Sequence, residues 1–169
     1  MLVPAGTIVV PPRLAPLRSG RRTVSESGGE ERHRIVVGVD GSEGSKTALR
    51  WAVRQAGFTG AALEAVIGWQ YPAFFGWAPV GIDDVDFGQV AAQTLTETLD
   101  EVLGPDRPDS LLARVVAEHP AQALVEASKD AELLVVGSRG YGGFADALLG
   151  SVSTYCVHHA HCPVTVIRH

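Results

Sequence analysis

LLVVGSRGYGGFADALLGSVS, from Leu133 to Ser153, is the stretch that decides the fold. It begins with consecutive apolar residues, which predict a strand over Leu133–Gly137 that is buried on both faces. A glycine-rich loop follows with the spacing Gly-x2-Gly-x9-Gly-Ser, and a helix is predicted from Ser151 to His159. Strands that alternate with helices in this way are typical of a parallel sheet covered by helices.

The same loop carries groups suited to an anion. Glycines at Gly137, Gly140 and Gly150 let backbone amides approach a ligand closely, and the amides that open a helix carry partial positive charge. Ser151 and Ser153 add hydroxyl donors there. The pattern therefore predicts a phosphate-binding loop.

A Walker motif is absent from this loop. That motif requires Gly-Lys-Ser/Thr, whereas Gly150 is followed directly by Ser151. The lysine charge that assists phosphoryl transfer is missing. We therefore assign no catalytic residue and predict that hydrolysis at this site is slow or absent.

Outward from this loop, strands and helices alternate along the rest of the chain from Arg34. The pattern predicts one doubly wound α/β domain over residues 34–169, with a five-stranded, mainly parallel sheet and helices on both faces. The predicted strands are Ile35–Asp40, Ala62–Trp69, Leu111–Ala117, Leu133–Gly137 and Val164–Ile167. The predicted helices are Gly44–Phe58, Phe87–Leu103, Pro120–Lys129 and Ser151–His159, with Ser42 or Ser45, Pro120 and Ser151 as their starting signals.

Three strand ends point to one ligand site. In open α/β sheets, ligands bind beyond the carboxyl ends of the strands, and Asp40, Gly68 and Gly137 close three different predicted strands. The Asp40 carboxylate can accept a hydrogen bond from a ribose hydroxyl or an adenine amino group. Its alternative role is that of a turn residue in Asp-Gly-Ser. Arg139 either pairs with a phosphate oxygen or points to solvent.

Two further motifs, IVVGVDGS (Ile35–Ser42) and CPVTVIR (Cys162–Arg168), accompany the glycine pattern. Together the three motifs resemble the nucleotide-binding branch of the universal stress protein family, from about Arg34 to the C-terminus. The resemblance implies an adenine-nucleotide alpha-hydrolase-like fold, ATP as ligand, with or without Mg²⁺, and a homodimer formed through the strand Val164–Ile167. It also implies the site residues, which are Val39, Asp40 and Gly68 around the adenine and Gly137, Arg139, Gly140, Gly150, Ser151, Val152 and Ser153 around the ribose and phosphates.

Charge and composition narrow the class of protein. The chain of 169 residues has a formal net charge of −5 and is 46% hydrophobic, which is typical of a single globular domain. Residues 1–34 carry +3 and the remainder −8. An acidic domain is poorly suited to nucleic acid, so no nucleic-acid partner is predicted. No apolar run approaches the roughly 20 residues of a membrane helix, so no membrane partner is predicted either.

Residues 1–33 are rich in Pro, Gly, Ser and Arg, which predicts a flexible N-terminal tail. The apolar residues Thr7 to Val10 are followed at once by Pro11 and Pro12, and no charged segment precedes them, so we expect no signal peptide. The two cysteines form no disulfide framework. Together these features predict a cytoplasmic location.

Histidines and cysteines crowd the end of the last predicted helix, at Cys156, His158, His159, His161 and Cys162. Both residue types bind zinc, but their spacing matches no standard zinc motif. We therefore predict no metal site, and expect Cys156 to pack as a small apolar residue.

The preferred interpretation is an ATP-binding regulator of a stress or growth response, in which occupancy of the site and not turnover carries the signal. Its protein partner is unknown. One alternative is a slow ATPase in which Ser151 or Asp146 positions water. Others are a nucleotide-free dimeric adaptor and a cyclic AMP binder.

Overall fold

The computed structural model describes residues 7–10, 33–70, 86–104, 107–108, 110–141 and 149–168. Most of the predicted N-terminal tail and Asp146 lie outside these residues. In the described part, the strands are β1 (Thr7–Val10), β2 (Arg34–Gly38), β3 (Ala62–Gly68), β4 (Leu111–Val116), β5 (Leu133–Gly137) and β6 (Val164–Ile167). The helices are α1 (Glu43–Thr59), α2 (Phe87–Leu103), α3 (Pro120–Ala127) and α4 (Ser151–His159), and a 3-10 turn, Ser128–Asp130, follows α3.

The described strands form one sheet in the order β1-β4-β3-β2-β5-β6. From β4 to β6 all neighbours are parallel, which confirms the predicted α/β domain with a five-stranded parallel sheet. The strand order reverses at β2, which lies between β3 and β5. Ligands of open α/β sheets bind beyond the carboxyl ends of the strands at such a reversal.

The sheet has a hydrophobic core on each face. On one face, α1 and α2 contribute Leu49, Leu95 and Leu99 to a cluster with the strands. On the other face, Leu124 of α3 and Cys156 of α4 pack in a second cluster. These two layers explain the continuous apolar runs in the sequence, because the central strands are buried from both sides.

β1 is the main difference from the sequence-based expectation. The composition of residues 1–33 predicts that Thr7–Val10 is part of a flexible tail, but this segment pairs antiparallel with β4 and adds a sixth strand. Four β-branched residues are enough to complete the edge of an existing sheet, because Ile8 and Val10 gain backbone partners in β4. A composition average over 33 residues conceals so short a strand.

The N-terminal residues of the helices hold the loops that line the candidate site. Ser42 caps α1, as predicted, by accepting a hydrogen bond from the Ser45 amide at 3.2 Å. Pro120 occupies the first turn of α3, also as predicted. The predicted Ser151 cap of α4 is wrong: the capping position is Gly150, which has no side chain to satisfy the amides that follow it. Within the described ranges, no helix combines the length and apolar character needed to cross a membrane.

Candidate functional site

One cavity of about 280 Å³ opens beyond the carboxyl ends of β2 and β5, where the strand order reverses. Its volume is near the lower end for small-molecule sites. The structure brings all ten predicted site residues to its walls, namely Val39, Asp40, Gly68, Gly137, Arg139, Gly140, Gly150, Ser151, Val152 and Ser153. The predicted positions therefore line one cavity, although they come from four separate parts of the chain.

The Asp40 carboxylate is held in a fixed orientation by Ser42. Its Oδ1 accepts hydrogen bonds from the Ser42 amide at 2.9 Å and from the Ser42 hydroxyl at 2.6 Å. This is the turn role that the sequence left open, so Oδ1 is occupied by the protein itself. The other oxygen, Oδ2, lies so close to Gly140 that a Cβ added there would collide with it. Asp40 thus presents one oxygen to the loop that follows β5.

The N-terminus of α4 offers unsatisfied backbone donors to the cavity. The first intrahelical bond of α4 runs from the Thr154 amide to the Gly150 carbonyl at 2.9 Å. The three amides before it, at Ser151, Val152 and Ser153, therefore have no acceptor within the helix. Partial positive charge gathers at such an end and favours an anion.

Ser153 has a different role from the expected ligand donor. It is buried, and its hydroxyl lies 3.1 Å from the Ser138 carbonyl and 2.9 Å from the Gly150 carbonyl. The Gly150 amide also donates to Ser138, at 2.7 Å. Ser153 therefore fastens the start of α4 to the end of β5, whereas Ser151 is exposed at the cavity.

Two of the predicted glycines are required by packing within the protein. A Cβ on Gly137 would lie 2.7 Å from the carbonyl carbon of Gly44, in the backbone of α1. A Cβ on Gly68 would lie 2.7 Å from the Pro120 Cα. Both positions line the cavity, but each permits an element to approach its strand closely, and backbone atoms cannot move aside as a flexible side chain can.

The cavity is also lined by residues that the sequence analysis did not predict as site residues. These are Gly38, Ser45, Val66, Pro120, Leu124, Val136 and Tyr141. Val66, Leu124 and Val136 belong to the core cluster on the α3–α4 face, so part of the cavity wall is apolar. Gly38 and Val136 could have been inferred from their places at strand ends. Pro120 and Leu124 required the packing of α3.

Tyr141 connects the two loops at the mouth of the cavity. Its exposed ring lines the cavity, and its hydroxyl donates to the Gly41 carbonyl at 3.2 Å. Gly41 has a φ of 87°, in the left-handed region that favours glycine. The loop after β5 is thereby tied to the loop after β2.

The histidines and cysteines around the end of α4 do not converge. Cys156 is fully buried among apolar residues, and this burial raises the pKa of its thiol to about 11. His158 and His159 are exposed, and His159 stacks on Tyr155 with ring centroids 4.3 Å apart. In the part of the chain that the structure describes, no three metal-binding side chains come together.

Comparison with known proteins places this chain in one family. The sequence model of the universal stress protein family matches residues 31–168. Universal stress protein Rv2005c of Mycobacterium tuberculosis is 35% identical over an alignment of 144 residues, and the match covers 82% of this chain and 48% of the relative. Universal stress protein Rv2623 of the same organism is 38% identical over an alignment of 136 residues, and the match covers 79% of this chain and 44% of the relative. The chain thus spans about half the length of these curated relatives.

Solved structures show the same fold along nearly their whole length. Universal stress protein UspA from Lactobacillus plantarum is similar with a TM-score of 0.67 at 23% identity, covering 81% of this chain and 98% of that chain. A universal stress protein in complex with cAMP is similar with a TM-score of 0.61 at 26% identity, covering 82% of this chain and 98% of that chain. Because the family's sequence pattern spans most of the residues and its fold is the one observed, this chain belongs to the universal stress protein family.

Proposed function

We propose that this protein binds ATP in the cavity between β2 and β5 and uses occupancy of the site as a regulatory signal. The observation that carries the proposal is the convergence of a strand-end carboxylate, a glycine-rich loop and a helix N-terminus on one cavity with a partly apolar wall. A relative of 26% identity was solved in complex with cAMP, which supports an adenine nucleotide as the class of ligand.

Each part of the cavity suits one part of a nucleotide. Apolar residues such as Val39, Val66 and Leu124 provide a surface for a base. The unsatisfied amides at the start of α4 suit phosphate oxygens. The Asp40 oxygen that Ser42 leaves available can accept a hydrogen bond from a sugar hydroxyl.

A magnesium ion fits the same donor set. Mg²⁺ in nucleotide sites is held by one or two carboxylates together with phosphate oxygens and waters. Asp40 is the carboxylate that lines the cavity, and its Oδ2 lies beside Gly140 in the expected phosphate shell. Asp40 would hold the ion, and the ion would neutralise phosphate charge that the carboxylate otherwise repels.

Regulation by occupancy requires two states of the loop with different affinities for ATP. The segment between Gly140 and Gly150 joins the two ends of the site, because Gly140 lies against Asp40 and Gly150 caps α4. A ligand that contacts both ends would favour one arrangement of the segment. We propose that this arrangement is what a partner protein recognises.

The first test is to identify the nucleotide. Purified protein is extracted with acid, and any released nucleotide is identified by mass. ATP, ADP, AMP and cAMP are then titrated into the nucleotide-free protein by calorimetry, with and without Mg²⁺. We expect ATP to bind most tightly, and Asp40→Asn to weaken ATP binding about tenfold, since a charge-assisted contact is worth roughly 1.5–3 kcal/mol.

Different outcomes distinguish the alternatives. Recovered ADP, with product formed during incubation with ATP, would favour the slow ATPase. Preference for cAMP over ATP would favour the cyclic AMP binder. If no nucleotide is recovered and none produces heat on titration, the cavity is not a nucleotide site and the dimeric adaptor becomes the better account.

We also propose a homodimer formed through β6. This strand is at the end of the sheet opposite to β1, and all four of its residues are only half-buried. The Leu134 and Ser138 amides donate to the Pro163 and Ile167 carbonyls, so the backbone of Val166 faces outward, away from β5. An edge of this kind can pair with its counterpart in a second copy.

Val166→Pro is expected to convert the dimer into a monomer without unfolding it. Proline removes the outward N–H of Val166, while the hydrogen bonds between β5 and β6 remain. Val166→Ala is the matched control, because it shortens the side chain but keeps the N–H. Light scattering after size exclusion measures the mass of both variants. A dimeric Val166→Pro protein, or a monomeric wild type, would contradict the proposal.

A further inference from the structure

The N-terminal strand β1 is an addition to the family domain. The family's sequence pattern covers residues 31–168, whereas β1 spans Thr7–Val10. It pairs antiparallel with β4 in a continuous register, from Thr7 opposite Val116 to Val10 opposite Ala113. Without β1, β4 would be the edge of the sheet.

The backbone of β4 presents hydrogen-bonding groups to this edge. The Val116 carbonyl accepts the Trp69 amide at 2.9 Å, so Val116 directs its backbone inward, to β3. Backbone direction alternates along a strand, so Val115 and Ala113 direct their N–H and C=O groups outward, to Ile8 and Val10. Both β4 residues are buried and apolar, at 0% and 7% exposure. A segment that pairs here therefore has to be extended, with apolar residues at the alternate positions opposite Ala113 and Val115.

The connection from β1 to β2 is long for the distance that it spans. β1 and β2 are separated by β4 and β3, which is about 14 Å at the usual strand spacing. Residues 11–32 could extend to roughly 70 Å. The length of this connection therefore does not by itself require β1 to occupy this edge. A strand of four residues held in this way is open to exchange.

We propose that the outer edge of β4 is a strand-binding surface for a partner protein, and that Thr7–Val10 is its displaceable internal occupant. The partner contributes an extended, uncharged segment of β-branched residues, which pairs antiparallel with Leu111–Val116. Backbone hydrogen bonds supply most of the affinity, and the apolar positions opposite Ala113 and Val115 supply selectivity. This proposal does not depend on nucleotide binding.

Two proline variants of the full chain distinguish loss of the β1–β4 hydrogen bonds from other effects of introducing proline. Ile8 lies opposite Val115, so its N–H points to β4, and Ile8→Pro removes a hydrogen bond of the pair. The N–H of Val9 points away from β4, where proline is tolerated on an edge strand, so Val9→Pro is the matched control. Amide hydrogen exchange of residues 111–116 is expected to be at least tenfold faster in Ile8→Pro than in Val9→Pro.

The second measurement is binding of a fluorescent peptide with the sequence of residues 5–12. We expect it to bind Ile8→Pro at one peptide per chain, at least tenfold more tightly than it binds the wild type, and to restore slow exchange of residues 111–116. The same peptide with proline in place of Ile8 should not bind. Equal exchange in the two variants would overturn the proposal, as would absence of peptide binding. Self-association of Ile8→Pro that the peptide cannot reverse would also overturn it, because a second copy would then be the occupant.

Discussion

Gly150→Val is expected to lower the affinity for ATP at least a hundredfold while changing the free energy of unfolding by less than about 1 kcal/mol. The backbone of Gly150, with φ −73° and ψ 165°, is open to any residue. An added Cβ would make only ordinary contacts, the nearest at 3.5 Å to the Arg139 Cα. The protein itself therefore does not require glycine at this position. Valine would, however, place its methyl groups beside the amides proposed to bind phosphate, and a hundredfold loss corresponds to about 2.7 kcal/mol.

Gly137→Val, in contrast, is expected to lower the free energy of unfolding. Its Cβ would lie within 2.8 Å of two backbone atoms of Gly44, so α1 has to move away from β5. Forcing extra atoms into a packed region costs about 1–3 kcal/mol, and contact with backbone atoms favours the upper part of that range. Loss of nucleotide binding in this variant would therefore be a consequence of damage to the fold.

Calorimetry with ATP and urea unfolding measure the two effects separately. Gly57→Val is a suitable control, because no atom of the described residues lies within 4 Å of a Cβ at that position. It should behave as wild type in ATP binding and be the least perturbed of the three in stability. Wild-type affinity in Gly150→Val would show that the start of α4 does not hold phosphate. Wild-type stability in Gly137→Val would show that α1 can shift at little cost.

This pair of glycines shows where inference from the sequence ends. The spacing of Gly137, Gly140 and Gly150 is enough to place all three at one site, because the carboxyl ends of parallel strands meet at one edge. The same letters cannot tell which glycine makes room for a ligand and which makes room for a helix. That distinction depends on how closely α1 approaches β5, which is a property of three-dimensional packing.

Three-dimensional packing also explains the other features of the cavity that the sequence did not predict. Pro120 and Leu124 line the cavity because α3 packs over the ends of β2 and β3, and no spacing rule relates α3 to the loop after β5. Ser153 matches the family motif for ligand binding, but its hydroxyl is directed at two carbonyl groups of the protein. Residue type and order predicted that these residues lie together, and the structure adds which side chains face the cavity and which bond to the protein itself.

Glu64 belongs to a buried ionic cluster that depends on strand register and that the sequence alone does not predict. A glutamate in an apolar strand would ordinarily be expected at the surface. Here it is 1% exposed, and its two carboxylate oxygens pair with Arg34 at 2.7 Å and Arg114 at 2.8 Å. The three residues come from β2, β3 and β4, so only the alignment of these strands brings them together. Arg34 also donates to the Ala127 carbonyl at 3.0 Å, which fastens the end of α3.

Glu64→Gln is expected to lower the free energy of unfolding by about 3 kcal/mol, because removing one member of a buried ionic cluster leaves the others uncompensated. The side chains of Arg34 and Arg114 are only 20% and 22% exposed, so water replaces the lost carboxylate poorly. Urea unfolding followed by tryptophan fluorescence measures the change. Glu126→Gln is the matched control: Glu126 pairs with Lys129 at the surface with its side chain 65% exposed, and its loss should cost less than about 0.5 kcal/mol.

A triple variant separates two contributions to the free energy of unfolding: the cost of leaving buried charges unpaired and the net contribution of the whole cluster. It combines Arg34→Met, Glu64→Leu and Arg114→Met. Replacing a whole buried ionic cluster by apolar residues is often neutral or stabilising. We therefore expect the triple variant to be more stable than Glu64→Gln, although it keeps none of the ion pairs. If Glu64→Gln is as stable as the wild type, the carboxylate contributes nothing that an amide cannot. If the triple variant is less stable than Glu64→Gln, the cluster is needed to align β2, β3 and β4 and to hold α3 over the cavity.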